Sequence, residues 1–297
     1  MPLHSVIQNY LLELEGKAVG RLFAAEGGNV EAEVIKSAGG SSFVHKHIGS
    51  VKYQDLMIRC GTGMARDFYD WLGDSLDGAF VRKSGAVLSL DASNKPSARR
   101  EFTNALITSL EFPKLSASSK DHAYMTVTMR PEMTRSTQAD PGQKPGIYVS
   151  KLTKAWHLSD FRLKIDGLEE DCRHIRAIGA LRMGQKTQAE DISGNVPSGS
   201  EYSDLEVSLL GTPGAAFYKW FEDFVQRGKS GPQYEKSGLL QFFAPNATKS
   251  YFELELTGLG PYKVDVAQHP DAKTLLPATY TLYCNGMKFR AGPAAVM

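Results

Sequence analysis

Alternation of apolar and polar residues dominates this chain. In "NYLLELEG", Tyr10, Leu12 and Leu14 share one side while Leu11, Glu13 and Glu15 take the other, the period of two that a strand with one buried face requires. Gly16 and the pair Gly27-Gly28 punctuate the pattern as turns do. A second strand is expected near Ala32–Ile35, followed by a loop over 36–50, "KSAGGSSFVHKHIGS". "KYQDLMIRC" reads as a strand and "MARDFYDWLGDSLDG" as a short helix, because Met64, Phe68, Trp71, Leu72 and Leu76 fall on one helical stripe. Gly78 suits the position just past its end, where glycine accepts a left-handed backbone. Three further strands follow in "GAVLSLDAS", "REFTNALITSLEF" and "AYMTVTMRP"; in the last, Met125, Val127 and Met129 oppose Tyr124, Thr126 and Thr128. Pro141, Gly142, Pro145 and Gly146 in "STQADPGQKPG" then exclude regular structure.

Beyond this break the order repeats. "SDFRLKIDG" sets Phe161, Leu163 and Ile165 on one face. A polar loop, "GQKTQAEDISGNVPSGSE", takes the place of the earlier glycine-serine loop. "YSDLEVSLLGTPGAAFYKWF" at 202–221 then echoes "YQDLMIRCGTGMARDFYDWL" at 53–72 without a gap, with six of twenty positions identical. Phe217, Trp220, Phe221, Phe224 and Val225 form its helical stripe, stopped at Gly228. "EKSGLLQFF" parallels "RKSGAVLSL", and "SYFELELTGLG" and "ATYTLYCNGMKF" close the set. A repeat this long is a duplicated domain, not a solenoid. The expected architecture is mainly β with flanking short helices (α+β). It comprises a domain over residues 1–135, a Pro/Gly linker over 136–150 and a second domain over 151–297, each a β-barrel or sandwich with one helix inserted midway. Phe68, Trp71, Phe217, Trp220 and Phe221 are expected in the core, on helix faces packed against sheet.

Composition adds little beyond exclusions. The 297 residues carry 34 basic and 33 acidic side chains, a net charge of +1, which leaves no electrostatic footprint for a polyanion binder. Cys60, Cys172 and Cys284 are widely spaced and odd in number, and read as free thiols in a reducing compartment. The opening "MPLHSVIQNYLLELEG" lacks the pattern of a signal peptide, and no apolar run is long enough to span a bilayer; a soluble cytoplasmic chain is expected.

Candidate chemistry is sparse. "RGKSG" at 227–231 lacks the upstream glycine of a phosphate-binding loop, since position 223 is Asp. His45 and His47 would need two further ligands for a metal and read as solvated loop residues. Cys172 and His174 read as strand residues, and Glu169, Glu170 and Asp171 as an exposed turn. No GxSxG or HExxH motif occurs. Neither a catalytic, a cofactor-binding nor a metal site is expected, and the chain is expected not to be an enzyme.

An ordered set of segments carries a family resemblance. "NYLLELEG", "VKYQDLMIRCGTGMARDFYDWL", "RKSGAVLSLDASNKPSARREFTNAL" and "LSASSKDHAYMTVTMRPE" resemble, in turn, the opening strand, the central strand with its Trp-bearing helix, the following strand pair and the last strand of the tail-tube protein family of contractile phages and extracellular contractile injection systems. The stretch covers about residues 5–133, and 155–290 resembles the family more loosely through "DFRLKIDGLEE", "YSDLEVSLLG" and "FYKWF". The resemblance implies a non-enzymatic role: domains that close into a ring, and rings that stack around a channel. It also implies that the loops at 36–50 and 184–201 grip neighbours, with Phe43, Val44, His45, His47, Ile48, Ile192 and Val196 as contacts. With two domains per chain, a trimer would make a pseudo-sixfold ring, suited to a tube initiator or a baseplate-proximal position; a hexamer in two layers is the rival. The partners implied are other copies of the chain and the tube, sheath or baseplate proteins of the same particle, with nucleic acid or protein cargo in transit and no membrane. Assembly would take place in the host cytoplasm, before incorporation into a virion or injection particle. A soluble tandem-barrel adaptor or effector carrier docked on such a tube is the alternative.

Overall fold

A tight hairpin starts the first barrel. In this computed structural model, which describes residues 10–38, 44–139, 156–187, 197–210, 215–243, 248–266 and 277–295, β1 (Tyr10–Leu14) turns through Glu15 and Gly16 into β2 (Lys17–Gly27). Both turn residues have positive φ, 47° and 77°, the handedness that matches the twist of the flanking strands. Next come β3 (Val30–Ala38) and β4 (Val44–Tyr53), a projecting hairpin. They are followed by β5 (Leu56–Cys60), α1 (Arg66–Asp74), β6 (Arg82–Leu90), β7 (Pro96–Phe112), β8 (Leu115–Ser116), β9 (Met125–Arg130) and β10 (Met133–Gln138). The antiparallel ladder runs β1, β2, β5, β9, β7, β6 and back to β1, so six strands close on themselves. Closure leaves none of these six as an edge strand, a protection against stray pairing, although the end of β7 and the β3–β4 hairpin extend beyond the closed ladder. β10 continues the direction of β9 along the outer part of β7, from Met133 opposite Thr103 to Gln138 opposite Ala98, reaching into the stretch read from sequence as the start of the linker.

The second half contains β11 (Phe161–Ile165), α2 (Glu169–Cys172), β12 (Ile175–Ile178), β13 (Leu181–Thr187), β14 (Pro197–Tyr202), β15 (Leu205–Leu210), α3 (Ala215–Phe221), β16 (Lys236–Phe243), β17 (Ser250–Val266) and β18 (Pro277–Ala291). Its sheet runs β12, β15, β18, β17, β16, β11. Substituting β11 for β1, β12 for β2, β15 for β5, β18 for β9, β17 for β7 and β16 for β6 reproduces the order of the first barrel. One junction is missing: β11 does not pair with β12, so this half is an open barrel. The cause is local. Where β1 turns straight into β2, Gly167 (φ 73°) is followed by the turn of helix α2, which carries the chain away from β11 before β12 begins.

This corrects two expectations from sequence. Glu169, Glu170, Asp171 and Cys172 form a helix, not a turn and a strand, and His174 lies in the turn after it. All three acids have partners: Glu170 pairs with Arg173 at 3.0 Å, while two accept backbone hydrogen bonds, Glu169 Oε1 from the Gly167 amide at 2.9 Å and Asp171 Oδ2 from the Phe217 amide at 3.0 Å. The last of these bonds satisfies a donor in the first turn of α3, which has no intrahelical partner.

The two halves share one core. Phe252 lies at its centre, its ring 4.5 Å from Phe242, 5.6 Å from Phe289 and 5.7 Å from Phe112, and Trp156 meets Phe242 edge-on at 5.3 Å. The helical stripes behave as expected in the first half, where Met64, Phe68, Trp71, Leu72 and Leu76 are all buried. In the second half Phe217, Trp220 and Phe224 are buried, Phe221 is half-buried at the edge of the core, and Val225 is exposed. The two indoles have the same task. Trp71 Nε1 donates to the Val81 carbonyl at 2.8 Å and Trp220 Nε1 to the Tyr234 carbonyl at 3.1 Å; each pins the chain just before "RKSG" or "EKSG". On the outer side of the first barrel, Leu11, Leu88 and Leu90 form a small separate cluster, while Leu12, Leu14 and Val87 point into the main core.

Two measurements test this packing. Phe252→Ala should destabilise the chain by about 3–5 kcal/mol in chemical denaturation, the cost of emptying a filled aromatic site; a loss under 1 kcal/mol would contradict the shared core. The thiols are protected as well. Burial pushes Cys172 up to about 11 and raises Cys60 and Cys284, so thiol reagents at pH 8 should label the native protein far more slowly than the unfolded chain.

Candidate assembly surface

The hairpin of β3 and β4 is the part of the described chain least covered by other elements. Val30 lies opposite Tyr53, Val34 opposite Ile48 and Ile35 opposite His47. Val30, Val34, Ile35, Val44, Ile48 and Val51 are all exposed. An isolated two-stranded ribbon is marginal in water, and this one exposes apolar side chains on both faces. At its base the hairpin is anchored firmly. The Asp55 carboxylate holds Arg130 in two bonds of 2.8 and 3.1 Å, and the Gly28 carbonyl accepts from Thr134 Oγ1 at 2.8 Å.

Of the seven contact residues expected from sequence, Val44, His45, His47 and Ile48 lie on β4, a strand where a loop was expected, and all four are exposed. Phe43, Ile192 and Val196 lie outside the described residues. The histidines stand alone: among the described residues no three His, Cys, Asp or Glu side chains converge on a point that would hold a metal ion.

The corresponding hairpin of the second half, β13 and β14, shows what such an arm does when it finds a partner. β13 adds to the end of β7, with Leu181 opposite Phe112, Arg182 opposite Glu111, Met183 opposite Leu110 and Gly184 opposite Ser109. Arg182 Nε lies 3.3 Å from Glu111 Oε1. Farther along, Gln185 Nε2 donates to the Ser75 carbonyl at 2.6 Å. Helix α1 packs on the sheet of the other half at the same seam: Tyr69 lies 6.0 Å from both Phe252 and Phe289, and Lys288 pairs with Asp77.

The first half returns the grip. β8 adds to the free edge of β12, Ser116 opposite Ala177 and Leu115 opposite Ile178. The same segment bonds on its other side to the stretch leading into β11, through the Ser116 amide to the Leu158 carbonyl at 3.0 Å and the Ala123 amide to the Trp156 carbonyl at 2.7 Å. His122 and His157 stack at 5.3 Å beside it. The segment therefore closes one end of the gap that α2 opens. The rest of the gap is a groove of about 690 Å³ along Phe161, Leu163, Cys172 and Ile175. Among the described residues its lining holds one carboxylate, Glu169, whose Oε1 accepts from the Gly167 amide. Sequence reasoning missed both exchanges. The arms were read as loops, and a two-residue strand such as β8 has no periodicity to detect.

Solved structures similar to the chain include one from the sheath-tube complex of an extracellular contractile injection system, PVC, in its extended state, at 14% identity over 45% of this chain and 90% of that one, TM-score 0.37. Others are from the tube-terminating cap of the anti-feeding prophage, at 16% identity over 47% and 93% with TM-score 0.38, and from its baseplate, at 16% identity over 46% and 97% with TM-score 0.37. No curated protein matches the chain. Residues 8–134, the segment that builds the closed barrel with its arm and helix, match the family described as T4-like virus tail tube protein gp19.

Proposed function

We propose that this protein is a structural component of a contractile phage tail or injection-system tube, and that each chain contributes two tube-like units to a ring around a channel. The observation that carries the reading is the strand order. The half that matches the tail-tube family and the half that follows it arrange six corresponding strands in the same sequence, and they are joined through an arm and a helix that pass from one unit to the next. A structural role accounts for a surface whose notable features are an apolar arm and sheet edges.

The joint between the halves is head-to-tail. One unit offers α1 and the end of β7; the other offers its arm and the sheet around β18. A head-to-tail contact leaves each end of the chain with one face unfilled, and repetition of such a contact closes a ring or extends a filament. Three chains would supply six units. A ring of alternating closed and open barrels has true threefold symmetry within a sixfold outline, which suits a junction between a sixfold tube and a threefold part. An initiator or baseplate-proximal position follows, with tube or baseplate proteins on its two faces, cargo passing through the hole, and assembly in the host cytoplasm before incorporation.

Electron microscopy of the purified protein, combined with native mass measurement, tests this directly. Closed rings with a central hole and three chains each are the expected result. Six chains in two layers would replace the trimer while keeping the ring, and a monomer at every concentration would overturn the reading.

A further inference from the structure

Positions that are buried where the two halves meet have counterparts that are exposed on the opposite end of the chain. The correspondence follows from register alone. Val30 lies opposite Tyr53 as Met183 lies opposite Tyr202, the two tyrosines opening the repeated phrase. Leu110 lies opposite Val127 and Glu111 opposite Thr126, as Val264 lies opposite Tyr280 and Asp265 opposite Thr279. Thus Val30 answers to Met183, Val264 to Leu110, Val266 to Phe112, and, by the spacing of the repeated phrase, Tyr218 to Tyr69 and Val225 to Leu76.

Each member of the first set is exposed or half-buried while its counterpart is buried. Val30 is 58% exposed against 1% for Met183, Val266 56% against 2% for Phe112, and Tyr218 47% against 0% for Tyr69. Val225 is exposed and Leu76 buried; Val264 is half-buried and Leu110 fully so. Among the described residues β17 pairs only with β16 and β18, and the β16 ladder stops at Leu259, which leaves the other edge of residues 260–266 without a strand. The matching edge of β7 is the one that β13 fills.

We infer that the base of the β3–β4 arm of one copy adds as an antiparallel strand to the free edge of β17 in the next copy, in the register of the internal joint. This rests on the ring reading above and specifies its contact between chains. Transferring the internal register places Asn29 opposite Asp265, Val30 opposite Val264 and Glu31 opposite Lys263. The side chains agree with that placement. Two valines meet, an amide faces a carboxylate, and a carboxylate faces an ammonium, where like charges would oppose pairing. Lys263 lies 2.6 Å from Asp265 on its own strand, so Glu31 would extend an existing ion pair. Tyr218 and Val225 then lie under the neighbouring copy as Tyr69 and Leu76 lie between the halves, and the exposed apolar positions of α3 and its following turn are covered by the same contact. The occupant is a second copy of this chain because the complementary edge, arm and helix face all occur on the chain itself.

Val30→Asp and Val266→Asp test the contact. Each places a charge where the joint is apolar and should weaken ring formation about tenfold or more by sedimentation, with the melting temperature of the dilute monomer unchanged because both sites are exposed. Glu31→Lys and Lys263→Glu should each weaken assembly about threefold, the scale of an exposed pair, and the double variant should recover it. Chains carrying Val30→Cys, mixed with chains carrying Val264→Cys, should be joined by a short bismaleimide only when assembled. Rings that form normally in all four single variants and give no cross-link would overturn this contact and leave the ring reading standing. A wild-type chain that stays monomeric would overturn both.

Discussion

The backbone at the edge of a β-sheet is the constraint on which the rest of this structure depends. A strand with one side unpaired presents donors and acceptors that must go to water or to another strand. The first half meets the constraint by closing its ladder, from β1 round to β6. The second cannot, because helix α2 separates β11 from β12. One of its edges is partly covered by the other half, where β8 pairs with β12, and in exchange β13 covers the end of β7. The halves are thereby joined by backbone pairing as well as by side chains, and the shared aromatic core around Phe252 follows from that joint.

A difference of a few residues therefore has consequences across the chain. The Glu15-Gly16 turn makes a hairpin, whereas the turn at Gly167 with α2 makes a gap. The opening makes the second half dependent on the first, and among the described residues it gives the chain a direction, with a closed barrel and the β3–β4 arm at one end and an open barrel with an unpaired β17 edge at the other. Direction is what a head-to-tail assembly requires.

The exposed apolar residues make sense in the same terms. Scattered single hydrophobic side chains on a surface need no account. Val30, Val266, Tyr218 and Val225 do, because each has a counterpart that the chain itself buries. The internal joint is the pattern for the contact between copies proposed above, and the β3–β4 arm, apolar on both faces, is grouped with these residues.

Much of this fold was legible in the amino-acid sequence. Alternation in "NYLLELEG" and "AYMTVTMRP", the stripes at Phe68 and Trp71 and at Phe217 and Trp220, and the stops at Gly78 and Gly228 correspond to elements where they were expected, since each depends on residues near in sequence. The repeated phrase marks the correspondence between the halves in the sequence itself. Three things were decided only by tertiary structure. The arms read as loops, because β3 and β4 bury neither face and β13 buries only a short run, Leu181 and Met183, against β7. The four-residue helix at Glu169–Cys172 read as a turn and a strand, too short for a helical stripe. And the meeting of Phe112 with Phe242, or of Met183 with Leu110, depends on which strand edges are left open after each sheet has formed, a property of the whole ladder that no local window of residues contains.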